Sequence, residues 1–476
     1  MPQENDASVD PKATGPLSPR EHRGSSSLPI PNDAGNTVEI PATRSSISDA
    51  AQYMHNLSFT PSTRDRRGSR NSFGTSLPIP RSPRPSRLAS VTYAEGAPSV
   101  SRDILASQVQ DMSKEKVEAA KNMAFAFDID GVLAHGNEPI PQAKEALKML
   151  NGDNELGIKI PYILLTNGGG KTEEARCQQL SEILDSPIST DQFIQSHTPM
   201  QALAEYYDTV LVIGGDGQQI RAAAENYGFK NVVHPKDILA WDPTVSPWST
   251  LSEEDRAIAK PRDFSKLKFD AVLVFNDSRD YATDMQLIID LVLAEDGLML
   301  TRAKDPVASR IPLYFSQGDL VFPTNHKGPT RLTMGGFRIA VEAQYKALTG
   351  LELERVVYGK PERATYTYAD EVLKSWMEQI HNENKLPQNV YMIGDNPASD
   401  IIGGNMYGWN TCLVRTGVFQ GPGENDATNP ANFGVFDNVL EAVKAAVRKE
   451  LGQDFKFKWN PHVNPVLHGD SSSAVE

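Results

Sequence analysis

Four short apolar runs, Ala124 to Phe127, Tyr162 to Leu165, Val390 to Ile393 and Thr411 to Val414, each stop at a polar or glycine-containing loop. Short continuous apolar runs bounded in this way read as parallel strands buried on both faces. Between them lie helical patterns at Gln142 to Leu150, Glu173 to Leu184 and Arg363 to Ile380. This alternation predicts an α/β fold built on a doubly wound, Rossmann-like parallel sheet, whose ligands gather beyond the carboxyl ends of the strands.

With 476 residues, of which 39% are apolar, the chain is long enough for two ordinary domains. Its formal net charge of −14 argues against general binding of nucleic acid, which needs a basic surface to displace counterions. Cys177 and Cys412 are its only cysteines, too few for a disulfide framework or a cysteine zinc site, and they read as small packed thiols. No run of about 18 uninterrupted apolar residues occurs, so no integral membrane segment is expected. Met1 to Gly15 is acidic and lacks an arginine-rich amphipathic pattern, which favours a cytoplasmic location over a mitochondrial one.

Residues 1–103 are expected to form a disordered arm: 19 of the 30 residues from Pro61 to Ser90 are Ser, Pro or Arg. The arm carries 12 basic against 10 acidic residues, whereas the remainder carries 35 against 51. Arg66-Arg67 before Gly68-Ser69, and Arg70 before Asn71-Ser72, resemble sites for basic-directed kinases, so the arm is a candidate for phosphorylation or for binding a regulatory protein. A short amphipathic helix is expected over Ile104 to Lys121, and a tail over residues 459–476. Strands at Thr209 to Ile213 and Ala271 to Phe275 predict a second α/β unit over 196–338, inserted into a core made of 104–195 and 339–458. Trp241 to Lys268, with three prolines, reads as a surface excursion of that unit.

The loops at the strand ends carry the chemistry. The first run ends Phe127-Asp128-Ile129-Asp130-Gly131. Two acids one residue apart point the same way, and Gly131 lets the chain turn so that both face one bound group. Asp128 could attack a phosphorus atom while Asp130 handles the leaving group's proton. The second run ends Thr166-Asn167-Gly168-Gly169-Gly170, a hydroxyl followed by backbone amides that suits a phosphate. A later run ends Gly394-Asp395-Asn396-Pro397-Ala398-Ser399-Asp400, two carboxylates in a tight loop that suit magnesium. Lys360, in Tyr358-Gly359-Lys360-Pro361, could supply a fixed positive charge. Taken singly each motif is weak: Asp128-Ile129-Asp130-Gly131 also fits a calcium-like loop or a capped helix start, and Gly394-Asp395 a plain turn.

In this order, the acid pair, Thr-Asn, Lys and Gly-Asp resemble the haloacid-dehalogenase-like (HAD) hydrolase superfamily, most of whose members are phosphatases. Asp128 and Thr166 are 38 residues apart, whereas Thr166 and Lys360 are 194 apart, so the accessory cap is inserted late, which resembles subfamily IIA. Ser196-His197-Thr198-Pro199, Leu211 to Gly217 and Gly335-Gly336-Phe337-Arg338 look most like the cat eye syndrome critical region family. The resemblance implies Asp128 as nucleophile, Asp130 as general acid and base, Lys360 as the charge-balancing lysine, and Thr166, Asn167 and Gly168 as the phosphate cradle. It also implies magnesium held by Asp128, Asp395, Asp400 and the backbone carbonyl of Asp130. The metal and lysine would offset a repulsion of about 4 kcal/mol between carboxylate and phosphate.

These residues predict a magnesium-dependent phosphatase of a small phosphorylated metabolite. The competing expectation is a binding or regulatory protein on the same fold with little turnover, linked to glycerophospholipid metabolism. Three further signals have plainer readings. Leu211 to Gly217 lacks the dinucleotide spacing and reads as a strand-to-helix turn; His135 reads as a loop histidine; Lys327 and Arg331 read as solvated charges that could instead reach an anionic substrate. Nothing in the sequence fixes the oligomeric state.

Overall fold

A computed structural model of the chain describes residues 114–324, 328–421 and 423–458. The expected arm, the tail and Lys327 lie outside the described residues, as does the first part of the helix expected from Ile104. The rest of that helix is Lys114–Lys121.

Among the described residues fifteen strands follow in chain order. They are β1 (Met123–Phe127), β2 (Ala134–His135), β3 (Glu138–Pro139), β4 (Tyr162–Leu165), β5 (Phe193–Ile194), β6 (Thr209–Ile213), β7 (Asn231–Val233) and β8 (Ala271–Val274), then β9 (Leu313–Phe315), β10 (Val321–Phe322), β11 (Arg331–Leu332), β12 (Val356–Val357), β13 (Asn389–Gly394), β14 (Asn410–Val414) and β15 (Gly434–Phe436). Two parallel sheets organise the fold, one in the order β15-β14-β13-β1-β4-β5 and the other β12-β9-β8-β6-β7. The fold is α/β, with helices against both faces of the first sheet.

Side-chain alternation along β1 shows why the first sheet is covered twice. Met123, Phe125 and Phe127 enter a core shared with the helices Pro141–Leu150, Glu173–Leu184 and Val439–Leu451. Ala124 and Ala126 face the other way, where their small size admits Tyr366, Ala369 and Leu373 of the helix Arg363–His381. Burying each of these aromatic or aliphatic side chains contributes about 2–3 kcal/mol, which explains the unbroken apolar runs.

The second sheet repeats the logic. Leu211 and Ile213 of β6 join a core with the helices Tyr281–Val292 and Met334–Thr349, and Val210 and Val212 join one with the helix Gly217–Asn226. Here one expected boundary moves. The core was expected to resume at residue 339, yet Phe337, Val341 and Tyr345 pack into the second sheet's core. Val356–Val357 then pairs with Tyr314 and Phe315 of β9. The second unit therefore extends to β12, and the chain re-enters the first only through Tyr358 to Lys360. The stretch 241–268 carries two single-turn 3-10 helices and the short helix Glu253–Ile258, with Trp248 89% exposed at its tip. No described helix is long and apolar enough to cross a membrane.

Candidate active site

Strand register brings the acids together. Phe127 lies opposite Ile393 of β13 and opposite Leu164 of β4, so Asp128, Asp395 and Thr166 leave the sheet side by side at its carboxyl edge. Gly131 makes the close approach possible: its φ is +89°, and a Cβ there would lie 2.6 Å from Asp395 Oδ2. The Asp395 carboxylate accepts from the Val418 amide at 2.6 Å, and Asp400 Oδ2 accepts from the Asn396 amide at 3.0 Å.

Lys360 enters from the second unit's last strand and is buried among these acids. Its Nζ lies 2.7 Å from Asp128 Oδ1 and 2.6 Å from Asp400 Oδ1, and it donates to the Leu165 carbonyl at 2.8 Å. Although burial works against the charged form, Asp128 and Asp400 raise its pKa above the ordinary lysine value, so it stays an ammonium.

Asp128, Asp395 and Asp400 each offer an oxygen within 4.8 Å of the others. Three buried carboxylates against one ammonium leave excess negative charge. Burial, then the charges of Asp128 and Asp400, push Asp395 well above the usual carboxylate range. Closely spaced hard oxygen donors with uncompensated charge fit a hard divalent cation. Asp130's carboxyl stands outside this trio. Burial first, and Asp128 second, push it up to about 6, while Arg176 and the Gly136 amide oppose the shift.

All eight residues singled out from the sequence, Asp128, Asp130, Thr166, Asn167, Gly168, Lys360, Asp395 and Asp400, line one cavity of about 560 Å³. Their local geometry differs from expectation at Asn167. Its Oδ1 accepts from the Lys360 amide at 2.7 Å, and its Nδ2 donates to the Lys360 carbonyl at 2.9 Å and to Asp319 Oδ2 at 2.8 Å. The Asn167 side chain, at the cavity wall, thus spends its hydrogen bonds bracing the lysine's main chain and Asp319. Thr166 Oγ1 accepts from the Gly168 amide at 2.9 Å, which leaves its own proton to give.

The second unit supplies residues that the sequence did not single out. Asn276, just after β8, donates to the Gly169 carbonyl at 2.8 Å and so holds the Thr166 loop from above. Asp319 is half-buried near Lys360; desolvation raises its pKa to about 7, against the pull of Asn167 and Lys360. Both sit in short connections without a motif, so only the fold brings them to the site. His197, buried behind the same loop, accepts from the Gly170 amide through Nε2 at 3.0 Å. Nδ1 therefore carries the proton and donates to Tyr227 Oη at 2.7 Å, which donates to Glu173 at 2.5 Å.

His135 Nε2 lies 2.6 Å from the Thr416 carbonyl, which ties two loops together instead of leaving the ring to solvent. Arg331 is exposed and lines the cavity. Cys177 and Cys412 are buried, and burial pushes the Cys177 thiol up to about 12.

Comparison with known proteins bears on the family. The sequence model for haloacid dehalogenase-like hydrolases covers residues 125–230, and a HAD-hydrolase-like model covers 357–442. A mitochondrial hydrolase of Saccharomyces cerevisiae is 41% identical over 351 residues, spanning 69% of this chain and 97% of its own. The chain belongs to the haloacid dehalogenase-like hydrolases. A second relative is a fusion of cardiolipin synthase with a mitochondrial hydrolase from Schizosaccharomyces pombe, 41% identical over 69% of this chain and 54% of the fusion. A 5'-nucleotidase of Bacillus subtilis is 25% identical over 62% of this chain and 87% of its own.

Proposed function

We propose that the chain is a magnesium-dependent phosphatase that hydrolyses a small phosphate ester through an aspartyl-phosphate on Asp128. The observation that carries this reading is the placement of one buried ammonium, Lys360, 2.7 Å from Asp128 and 2.6 Å from Asp400, inside a trio of strand-end carboxylates.

In the first half-reaction a carboxylate oxygen of Asp128 bonds to phosphorus, and the bond from phosphorus to the ester oxygen breaks. The departing oxygen takes the proton of the Asp130 carboxyl. In the second half the Asp130 carboxylate removes a proton from water, whose oxygen attacks phosphorus and releases inorganic phosphate and free Asp128. A carboxyl raised to about 6 supports both duties, since neutral and ionised forms are each well populated near that pH. Lys360 holds Asp128 in place and balances charge, the Thr166 hydroxyl donates to the phosphoryl group, and Asn167 keeps Lys360 aligned. Asp128, Asp395 and Asp400 would hold magnesium, which when bound neutralises and polarises the phosphoryl oxygens.

Both relatives that share 41% identity are named mitochondrial hydrolases, which supports a mitochondrial location over the cytoplasmic one expected from Met1 to Gly15. The fusion to a cardiolipin synthase supports a narrower reading, that the ester is a water-soluble precursor of glycerophospholipids. A panel of phosphate esters, including p-nitrophenyl phosphate and glycerol phosphate, assayed with and without magnesium, tests the proposal. Metal-dependent phosphate release from at least one ester is expected, and absence of release across the panel would remove the phosphatase reading.

A further inference from the structure

Beside the carboxylates, Lys171, Arg176 and Arg279 also line the cavity. Lys171 Nζ and Arg176 Nη1 both donate to Gln179 Oε1, at 3.1 and 2.9 Å, so the two charges lie within about 6 Å of each other. Gln179 is itself oriented, because its Nε2 donates to Asn137 Oδ1 at 2.7 Å and leaves the carbonyl to face the cations. Gln195 Nε2 fixes the Lys171 main chain by donating to its carbonyl at 3.0 Å. In the same cavity lining, Arg279, on the loop after β8, donates to the Asp277 carbonyl at 3.2 Å. Among the described residues none of the three forms an ion pair, in a chain where acids outnumber Lys and Arg by 14.

The placement of these cations is as telling as their lack of partners. Lys171 and Arg279 border both the 560 Å³ catalytic cavity and an adjoining one of about 390 Å³, which also contains Lys236 and Gly215. The second cavity opens where β6 and β8 diverge to opposite neighbours, the switch point at which parallel sheets take ligands. Like charges gathered around a neutral acceptor beside an open cavity form a site awaiting an anion.

We propose that Lys171, Arg176 and Arg279 form a subsite for a second anionic group, so that the preferred substrate is a phosphate ester that also bears a carboxylate or a second phosphoryl group. The proposal rests on the phosphatase reading for the position of the first phosphate, and non-hydrolysable ligands separate the two. The test measures binding to the full-length protein in magnesium buffer by calorimetry. The ligands are ω-phosphonocarboxylates of two to four carbons, α,ω-bisphosphonates of the same spans and alkylphosphonates of matched length. At least one doubly anionic ligand should bind about tenfold or more tightly than its singly anionic match, and the better series shows whether carboxylate or phosphoryl is preferred. The preference should collapse to about onefold in Lys171→Gln/Arg176→Gln and fall severalfold in Arg279→Gln, an exposed position on the second unit that does not threaten the fold. No preference in the wild type, failure of any ligand to bind, or a preference that survives both variants would overturn the subsite. A preference that holds while no ester is hydrolysed would overturn only the phosphatase reading.

Discussion

Asn167 shows how a side chain inside a recognisable motif can have its hydrogen bonds committed to the fold. Thr-Asn at a strand end reads as a phosphate cradle, but the amide spends its hydrogen bonds on Lys360 and Asp319. Asn167→Ala strands a buried amide, a carbonyl and a carboxyl, and should cost about 1–3 kcal/mol in denaturant unfolding as well as activity; unchanged stability would contradict the bracing role. His197 makes a prediction with a defined sign. Burial lowers its pKa to about 4, below the usual 6.5, so it is neutral in both folded and unfolded chains at pH 7 and above. Between pH 6.5 and about 4 the unfolded chain takes up a proton that the folded one refuses, and stability falls with acidification. The stability of wild type relative to His197→Gln should therefore drop by about 1.4 kcal/mol per pH unit below 6.5 and be constant above it. A flat difference across that range would mean that the ring is protonated in the native state. Sequence marked His197 only as part of the run Ser196 to Pro199 and not as a buried, neutral ring, because a histidine in a loop carries no mark of the stacking on Phe275 at 4.9 Å that buries it.

At the scale of elements, β1, β4, β13 and β14 were legible because burial on both faces writes an unbroken apolar run. Strands of two or three residues, such as β5, β9 and β12, leave no such trace. That is why the return to the core was placed too early: an amphipathic helix reads the same whichever sheet it packs on, and Met334–Thr349 belongs to the second. The β1 turn has a sharper consequence. Gly131→Ala would force a non-glycine residue to φ +89° and press its Cβ against Asp395, so both acid loops must shift. Magnesium should raise the melting temperature of the wild type but not of Gly131→Ala, read by calorimetry with and without the metal. An equal rise in both would show that the acids need no such approach.

For the whole molecule, every residue assigned to the site falls within residues 114–458, although the motif positions span from Asp128 to Asp400. Their common placement was readable from the order of motifs, because parallel strands deliver their carboxyl ends to one edge. The contributions of Asn276, Asp319 and Arg279 were not, since they depend on how the second unit lies over the first. Deleting residues 1–101 should leave magnesium-dependent phosphate release within about twofold of the full chain, whereas chelating the metal should abolish it; loss of activity on truncation would give the arm a part in catalysis. The central claim is that Asp128 becomes phosphorylated, and acid quenching during turnover of p-nitrophenyl phosphate followed by peptide mass spectrometry tests it directly. A phosphoryl group is expected on the peptide containing Asp128, with both the label and phosphate release gone in Asp128→Asn. Hydrolysis at an undiminished rate in that variant would contradict it.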